Sequence, residues 1–522
     1  MDFWKNVIIP HRVIIIISLS YFFLHLINLT LLPIFNDESI YIDWGWSHTH
    51  MPGHLYDALL DAKQPLMIWL FGIFQNFFAD PLFAGRFVSV LFGLMTMLGI
   101  YTLAKKIANA HVAVISTVIF SIIPIFVFYN RQALFEAAVA CVGIWSCVAL
   151  INLVRTPSTK NSILLGIILG IGFFIKSSSL LFIVSAIAIL MLYIIVKKQV
   201  VLLKSFFIAL VAFFCVDFLL LINPLFWETF SSNSRYAFTL SELLSFPIST
   251  WGTNLLGFFE IGFVFVTPFV FFASLAGIYL FRRKKLKNSM IFLLFFLIAL
   301  VLEIISGKTQ SQRYIVSFLP FLIIPAAYVF YLLWKGAVWK KSIVVISCMV
   351  PFVVSLLLIF SPESYILQSE KVSRYSDVAH VRGQTSGHGI NEAMMYINEQ
   401  SKGQPTMVLF GFNIGNPESA VNLYSQRTPN LASMHIDAQM FADIEKVECF
   451  TSQYPVFLVT RNDQRLGMDR YFTLEKSFLN PDKTYSVSIY TLKSNCVGNT
   501  NSLSDIYHPT MNKIFQMKAG IY

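Results

Sequence analysis

Apolar runs of about 20 residues, the length that crosses the hydrocarbon of a bilayer, recur along the first two-thirds of this 522-residue chain. That pattern reads as a polytopic α-helical membrane protein. Charged residues make up 13% of the chain, against about 25% in soluble domains, while 56% is hydrophobic. The formal charge of +10 would suit a nucleic-acid binder, but the Lys and Arg residues sit in short links between apolar runs, which is the pattern of cytoplasmic loops. No nucleic-acid partner is expected. The first run, "RVIIIISLSYFFLHLINLTLLPIF", is long and has no small-residue cleavage site after it, so it is read as a retained membrane helix.

Eleven spans are expected, near 12–32, 82–104, 111–129, 133–153, 161–175, 179–196, 202–222, 257–281, 289–306, 314–334 and 342–360. The basic links are Lys105–Lys106, Arg155 with Lys160, Lys197–Lys198 with Lys204, "RRKKLK" at 282–287, and Lys335 with Lys340–Lys341. They alternate onto one side together with Lys5 and Arg12, and that side is read as cytoplasmic. The protein is thus placed in the cell (inner or plasma) membrane with its N-terminus cytoplasmic. The membrane domain 1–360 carries outer loops 33–81 and 223–256, and either loop could hide a re-entrant piece.

Residues 361–496 change character. "QPTMVLFGFN" and "YPVFLVTRND" read as short buried strands, "SVSIYTLK" as another, and "INEAMMYINEQ" as an amphipathic helix. Together they suggest a small extracytoplasmic α/β domain, with 497–522 as a tail of no clear pattern, read as flexible. Cys141, Cys147, Cys215 and Cys348 fall in apolar runs, and no pair has zinc-site spacing. Cys449 and Cys496 are the only cysteines past the last span, and a disulfide between them is expected, with two unrelated thiols as the alternative.

Just past the first helix stands "NDESIYIDW", with the carboxylates Asp37, Glu38 and Asp43. Charge at a membrane rim is costly unless water or function holds it. Lys63 in "AKQPL", Arg131 and Glu136 in "YNRQALFEAA", Lys176 in "FFIKSSS", and Lys308 and Arg313 in "SGKTQSQRY" reach the same outer level. Each cation alone could be an interfacial anchor, and Glu136 could be a helix N-terminal acid. Taken together they suggest a site in which cations hold a lipid phosphate and a carboxylate takes a proton from an acceptor hydroxyl.

The Asp–Glu pair, then "AKQPLMIWLFG", "RQALFEAA", "LGIGFFIKSSSLLF" and "QRYIVSFLPFLIIPAAY", in that order, resembles the bacterial branch of the dolichyl-phosphate-mannose protein mannosyltransferase superfamily, whose relatives include the lipid A aminoarabinose transferases. The resemblance covers about residues 1–335, and "SGHGINEAMMYIN" followed by a strand is similar to family members in the outer domain. It implies a GT-C fold and an enzyme that moves a sugar from a polyprenyl-phosphate carrier outside the membrane. By the resemblance, Asp37 is the catalytic base or an acceptor-site carboxylate, and the catalytic candidates include Glu38 beside it and Glu136, which stands where many relatives have Asp. It makes Lys63, Arg131, Lys176, Arg313 and Tyr314 the donor-phosphate group, although Lys176 is followed by serines where relatives have a Thr-Lys-Gly pattern.

The function expected is transfer of one sugar, with inversion, from a polyprenyl-phosphate sugar to an acceptor hydroxyl on a glycolipid, cell-wall polymer, glycan or protein. No cofactor is required, since cations can neutralise the phosphate and no phosphate-cradling glycine loop is present. A divalent metal on Asp37 and Glu136 is the alternative. A lipid-linked-sugar transporter or flippase would place its charges at the bilayer midplane in matching repeats, and no such repeat is visible. A receptor built on the outer domain would not require acids and bases at the membrane rim.

Overall fold

The computed structural model describes residues 9–232, 235–411, 415–435, 455–461 and 472–492. They form two compact units. The first comprises residues 1–29, 48–70 and 86–376, and the second 30–47, 71–85 and 377–522. Cys449, Cys496 and the tail 497–522 lie outside the described residues.

The first unit is helical. Six described helices are long and apolar enough to cross a membrane: Pro81–Ile107, Glu136–Arg155, Ser177–Ile195, Val201–Leu221, Ser289–Ser306 and Val338–Phe360. Shorter apolar helices include Ala110–Ile122, Thr159–Ile175 and Pro320–Trp334. The expected count of eleven spans is therefore not confirmed. Three of the expected continuous spans are broken, each next to a proline, which cannot donate a backbone hydrogen bond and restricts the residue before it. The run 111–129 becomes Ala110–Ile122 and Pro124–Tyr129. The run 257–281 is interrupted at Thr267, between Ile248–Phe265 and Pro268–Lys284. The run 314–334 opens with the short helix Gln312–Ile315 before Pro320–Trp334.

Burial separates the centre of this unit from its rim. Helix Glu136–Arg155 is 89% buried over its apolar window and Val201–Leu221 only 22%, so the first is wrapped by protein and the second offers its surface to lipid. Phe182, Phe295 and Phe321 pack ring to ring in the interior, with centroids 5.9–6.2 Å apart. Val201–Leu221 lies tightly along Thr159–Ile175. A Cβ on Gly166 would fall inside the contact distance of the Ala209 carbonyl oxygen, so only glycine permits this approach.

The second unit is built on a five-stranded sheet of β1 (Thr406–Phe410), β2 (Leu431–His435), β3 (Val456–Arg461), β4 (Phe472–Leu479) and β5 (Ser486–Leu492), in the order β2-β1-β3-β5-β4. β1 pairs in parallel with β2 and β3, and β5 antiparallel with β3 and β4. β1 and β3 are buried at every position, as continuous apolar runs require. Helices Ile390–Ser401 and Glu418–Arg427 accompany the sheet. Residues from the first loop belong to this unit. Asn36 N donates to Thr385 O at 3.0 Å, and Asn416 donates from its backbone N to Asn36 Oδ1 and from its side chain to Ile34 O, both at 2.8 Å. Gly387 sits against the Ile34 backbone where a Cβ has no room.

Candidate active site

In the first unit, Glu136 is the centre of a charge cluster. It opens helix Glu136–Arg155, where the unpaired N–H groups favour a negative side chain. Lys176 follows the last residue of Thr159–Ile175, and Arg313 lies in Gln312–Ile315. Three helix ends thus deliver three charges to one level. Lys176 Nζ lies 3.1 Å and Arg313 Nε 3.4 Å from the same atom, Glu136 Oε1. Glu136 is 1% exposed, whereas Lys176 and Arg313 are 27% and 23% exposed, so the acid is interior and the cations reach outward. The second carboxylate oxygen, Oε2, is buried without a hydrogen-bond partner among the described residues.

The segment before helix Ile248–Phe265 fastens onto this level. Tyr236 faces Tyr314 with ring centroids 6.4 Å apart, and Ala237 bridges Gly307. Lys308 Nζ donates to Glu242 Oε1 at 2.7 Å. That bond, with the Thr239 backbone N–H, pulls the Glu242 pKa down to about 2. Asn254 donates to the carbonyls of Ile304 and Gly307, and Trp251 to that of Ile305.

Other expected phosphate ligands are placed differently. Arg131 Nη1 donates to His25 O at 2.9 Å, Ile27 O at 2.8 Å and Leu24 O at 3.4 Å, and Nη2 to Asn28 O at 2.9 Å. These are the carbonyls at and just beyond the end of helix Ile9–Leu26. Arg131 thus caps the end of that helix, where a cation answers the negative end. Lys63 lies 3.9 Å from Asp61 and is partly exposed.

In the second unit, the three carboxylates of helix Asn36–His50 have separate surroundings. Glu38 is fully buried, and its Oε2 accepts from Phe35 N at 3.0 Å, the reach-back of an N3 acid to the start of its own helix. Asp43 Oδ1 accepts from Asn422 Nδ2 at 2.8 Å and Gln426 Nε2 at 3.4 Å. Burial raises its pKa to about 7, although the Asn422 bond opposes this. Asp37 remains partly exposed in the first turn, with Asn36 Nδ2 at 3.4 Å from its Oδ1. Among the described residues no group of three or more His, Cys, Asp or Glu side chains is arranged to hold a metal ion.

A dolichyl-phosphate-mannose-protein mannosyltransferase family model matches residues 62–227, a stretch that contains Lys63, Arg131, Glu136 and Lys176. The chain superposes on ArnT from Cupriavidus metallidurans bound to undecaprenyl phosphate with a TM-score of 0.56 at 13% identity, covering 93% of this chain and 98% of that one. This is the GT-C fold. The apo state of the same ArnT matches this GT-C chain with a TM-score of 0.54 at 14% identity over 93% and 98% of the two chains. An oligosaccharyltransferase from Archaeoglobus fulgidus, complexed with Zn and sulfate, matches with a TM-score of 0.49 at 14% identity over 94% and 73%. No curated protein sequence matches the chain. The family match and the apolar helices make it a multi-pass membrane protein and support a glycosyltransferase.

Reading the sequence missed Glu303. It lies near the end of helix Ser289–Ser306, where its backbone carbonyl accepts from Gly307 N at 3.2 Å. The available signal was an acid inside an apolar run, which membrane helices rarely carry without a use.

Proposed function

We propose that this GT-C protein transfers a sugar, with inversion, from a polyprenyl-phosphate donor to an acceptor hydroxyl on the extracytoplasmic face of the cell membrane. The observation that carries the reading is the pair of outward-reaching cations, Lys176 and Arg313, steadied from behind by one buried carboxylate oxygen. A phosphate is the ligand such a pair is suited to hold, and a leaving phosphate needs charge stabilisation more than a general acid. Lys63, in the stretch matched by the family model, is a further donor ligand in this reading. The ArnT neighbour, whose structure holds undecaprenyl phosphate, supports the donor class.

The acceptor oxygen must lose a proton as it attacks the anomeric carbon. Asp37 is the base we assign, because it keeps partial exposure in the first turn of its helix, whereas Glu38 and Asp43 are buried. Glu136 positions the two cations in this scheme. Neither the fold nor the family match supports the transporter alternative.

Two measurements test the reading. Titrating undecaprenyl phosphate against purified Lys176→Ala and Arg313→Ala should show affinity reduced by about tenfold or more in each. Wild-type affinity in both would move the phosphate site elsewhere. Asp37→Asn should leave a folded protein with turnover lowered at least about 100-fold, the scale of general-base loss. Turnover near the wild-type rate would assign the base to another group.

A further inference from the structure

Helix Ile248–Phe265 has two faces with different uses. One is fastened to neighbouring chain. Trp251 Nε1 donates to Ile305 O at 3.0 Å, and Asn254 Nδ2 to Ile304 O at 2.9 Å and Gly307 O at 2.8 Å. On the same side, a Cβ on Gly257 would fall inside the contact distance of Tyr375 and Gln310. The other face is apolar and open. Ile248, Leu255, Leu256, Phe259 and Phe263 recur at helical spacing and share one side, and each is between 41% and 70% exposed. Leu244 and Phe246, just ahead of the helix, are as exposed. They are held in place nonetheless, because Thr239 and Glu242 cap each other and Lys308 grips Glu242 at 2.7 Å. Between the two faces runs a polar strip of Ser249, Thr253 and Glu260, the last of which accepts from Ser373 and pairs with Arg374.

An exposed apolar face on a multi-pass membrane protein meets lipid or another protein, and the placing of this helix favours lipid. Pro268–Lys284 and Ser289–Ser306 are joined by the short link 285–288, beside which Phe281 packs on Phe292 with ring centroids 6.1 Å apart. Each runs about 25 Å from that link, so Pro268 and Ser306 come out at nearly one level. Ile248–Phe265 begins against the carbonyls of Ile304, Ile305 and Gly307 and ends just before Pro268. Both its ends therefore stand at that level. It also turns sharply at Thr267, where φ is 75°. Phe259 meets Phe271 with centroids 6.1 Å apart, and Phe263 meets Phe272 at 5.8 Å. One continuous helix would separate positions 259 and 271 by about 18 Å along its axis. A helix with both ends at one level lies along the membrane, and a division into protein-bound, apolar and polar strips suits the boundary between headgroups and acyl chains.

We propose that helix Ile248–Phe265, with Leu244 and Phe246 ahead of it, is a membrane-surface docking element whose apolar face sinks among the acyl chains of bilayer phospholipid at the Glu136 end of the bundle. The short helix Gln312–Ile315, which carries Arg313, packs against it there. Lipid on one face and the rim of the charge cluster on the other thus share one element.

The test uses the full-length protein in phosphatidylcholine vesicles, with the fluorescent amino acid Anap in place of Ile248, Phe263 or, as a water-side control, Thr253. Quenching is read with phospholipids brominated just below the headgroup or near the chain end. Positions 248 and 263 should lose fluorescence equally, more to the shallow bromine than to the deep one, and position 253 should lose far less. The two positions are about 22 Å apart along the helix. A helix crossing the hydrocarbon, about 30 Å thick, would be quenched shallowly at one and deeply at the other, and that result overturns the proposal. No quenching at either would mean that protein, such as a second copy of this chain, covers the face, and overturns it equally. Wild type gives an independent reading without substitution. A phospholipid with a photoactivatable diazirine in its acyl chain should mark residues 255–263 as well as Val201–Leu221, the helix that already offers its surface to lipid. Marking of Val201–Leu221 with none in 255–263 would remove the docking element.

Discussion

Arg131 gives four hydrogen bonds to carbonyls at the end of the first helix. Arg131→Ala should lower stability by on the order of 3 kcal/mol, because these buried acceptors lose a charged donor. Thermal unfolding in detergent reads this, and a variant of wild-type stability that had lost donor affinity would assign Arg131 to the phosphate instead. Asp43 makes a pH prediction. Its folded pKa, near 7, exceeds the ordinary carboxylate value, so the native state binds the extra proton. The stability this confers is complete below the ordinary value and is lost as pH rises through about 7, by on the order of 3 to 4 kcal/mol across the window. Asp43→Asn should flatten that dependence in denaturant titrations at several pH values, and an unchanged slope would locate the effect elsewhere. The sequence showed three acids within one short stretch, but the surroundings of Asp43 depend on a distant partner. Asn422, which holds Asp43, is 379 residues away. Glu136, Lys176 and Arg313 were legible as charges at one level, yet their meeting on a single oxygen was not, and Glu303 was absorbed into an apolar run.

Among the helices, the pair Thr159–Ile175 and Val201–Leu221 depends on a position without a side chain. Gly166→Val should destabilise the protein by at least about 2 kcal/mol, since the added atoms meet backbone that cannot rotate away. An unchanged unfolding temperature would mean that the helices can separate without loss. Hydropathy located these elements well because the bilayer length sets a long, uniform signal. It failed where prolines break a run that stays apolar on both sides, as at Thr267–Pro268. In the sheet, β1, β3 and β5 were legible as apolar strands. β2 and β4 were not, because they are edge strands; β4 is exposed along most of its length, so it lacks a continuous apolar run.

For the molecule as a whole, the charge pattern makes a statement about sides. Single cysteines introduced at Lys285 and Lys402 in intact cells should differ, with only the second reacting with a membrane-impermeant maleimide. Labelling of both, or of Lys285 alone, would overturn the assigned orientation. The second unit has a consequence of another kind, in time. Residues 34 and 36 are fastened by Asn416, which is 382 and 380 positions later in the chain. At about 5–20 residues per second, the partner leaves the ribosome on the order of 20 to 80 s after the segment it secures. Throughout that interval the helix bearing Asp37 has been made but its hydrogen bonds to the C-terminal residues cannot form. The newborn chain must therefore hold its first carboxylates unfinished, and the proposed catalytic base acquires its setting only after Asn416 has been made.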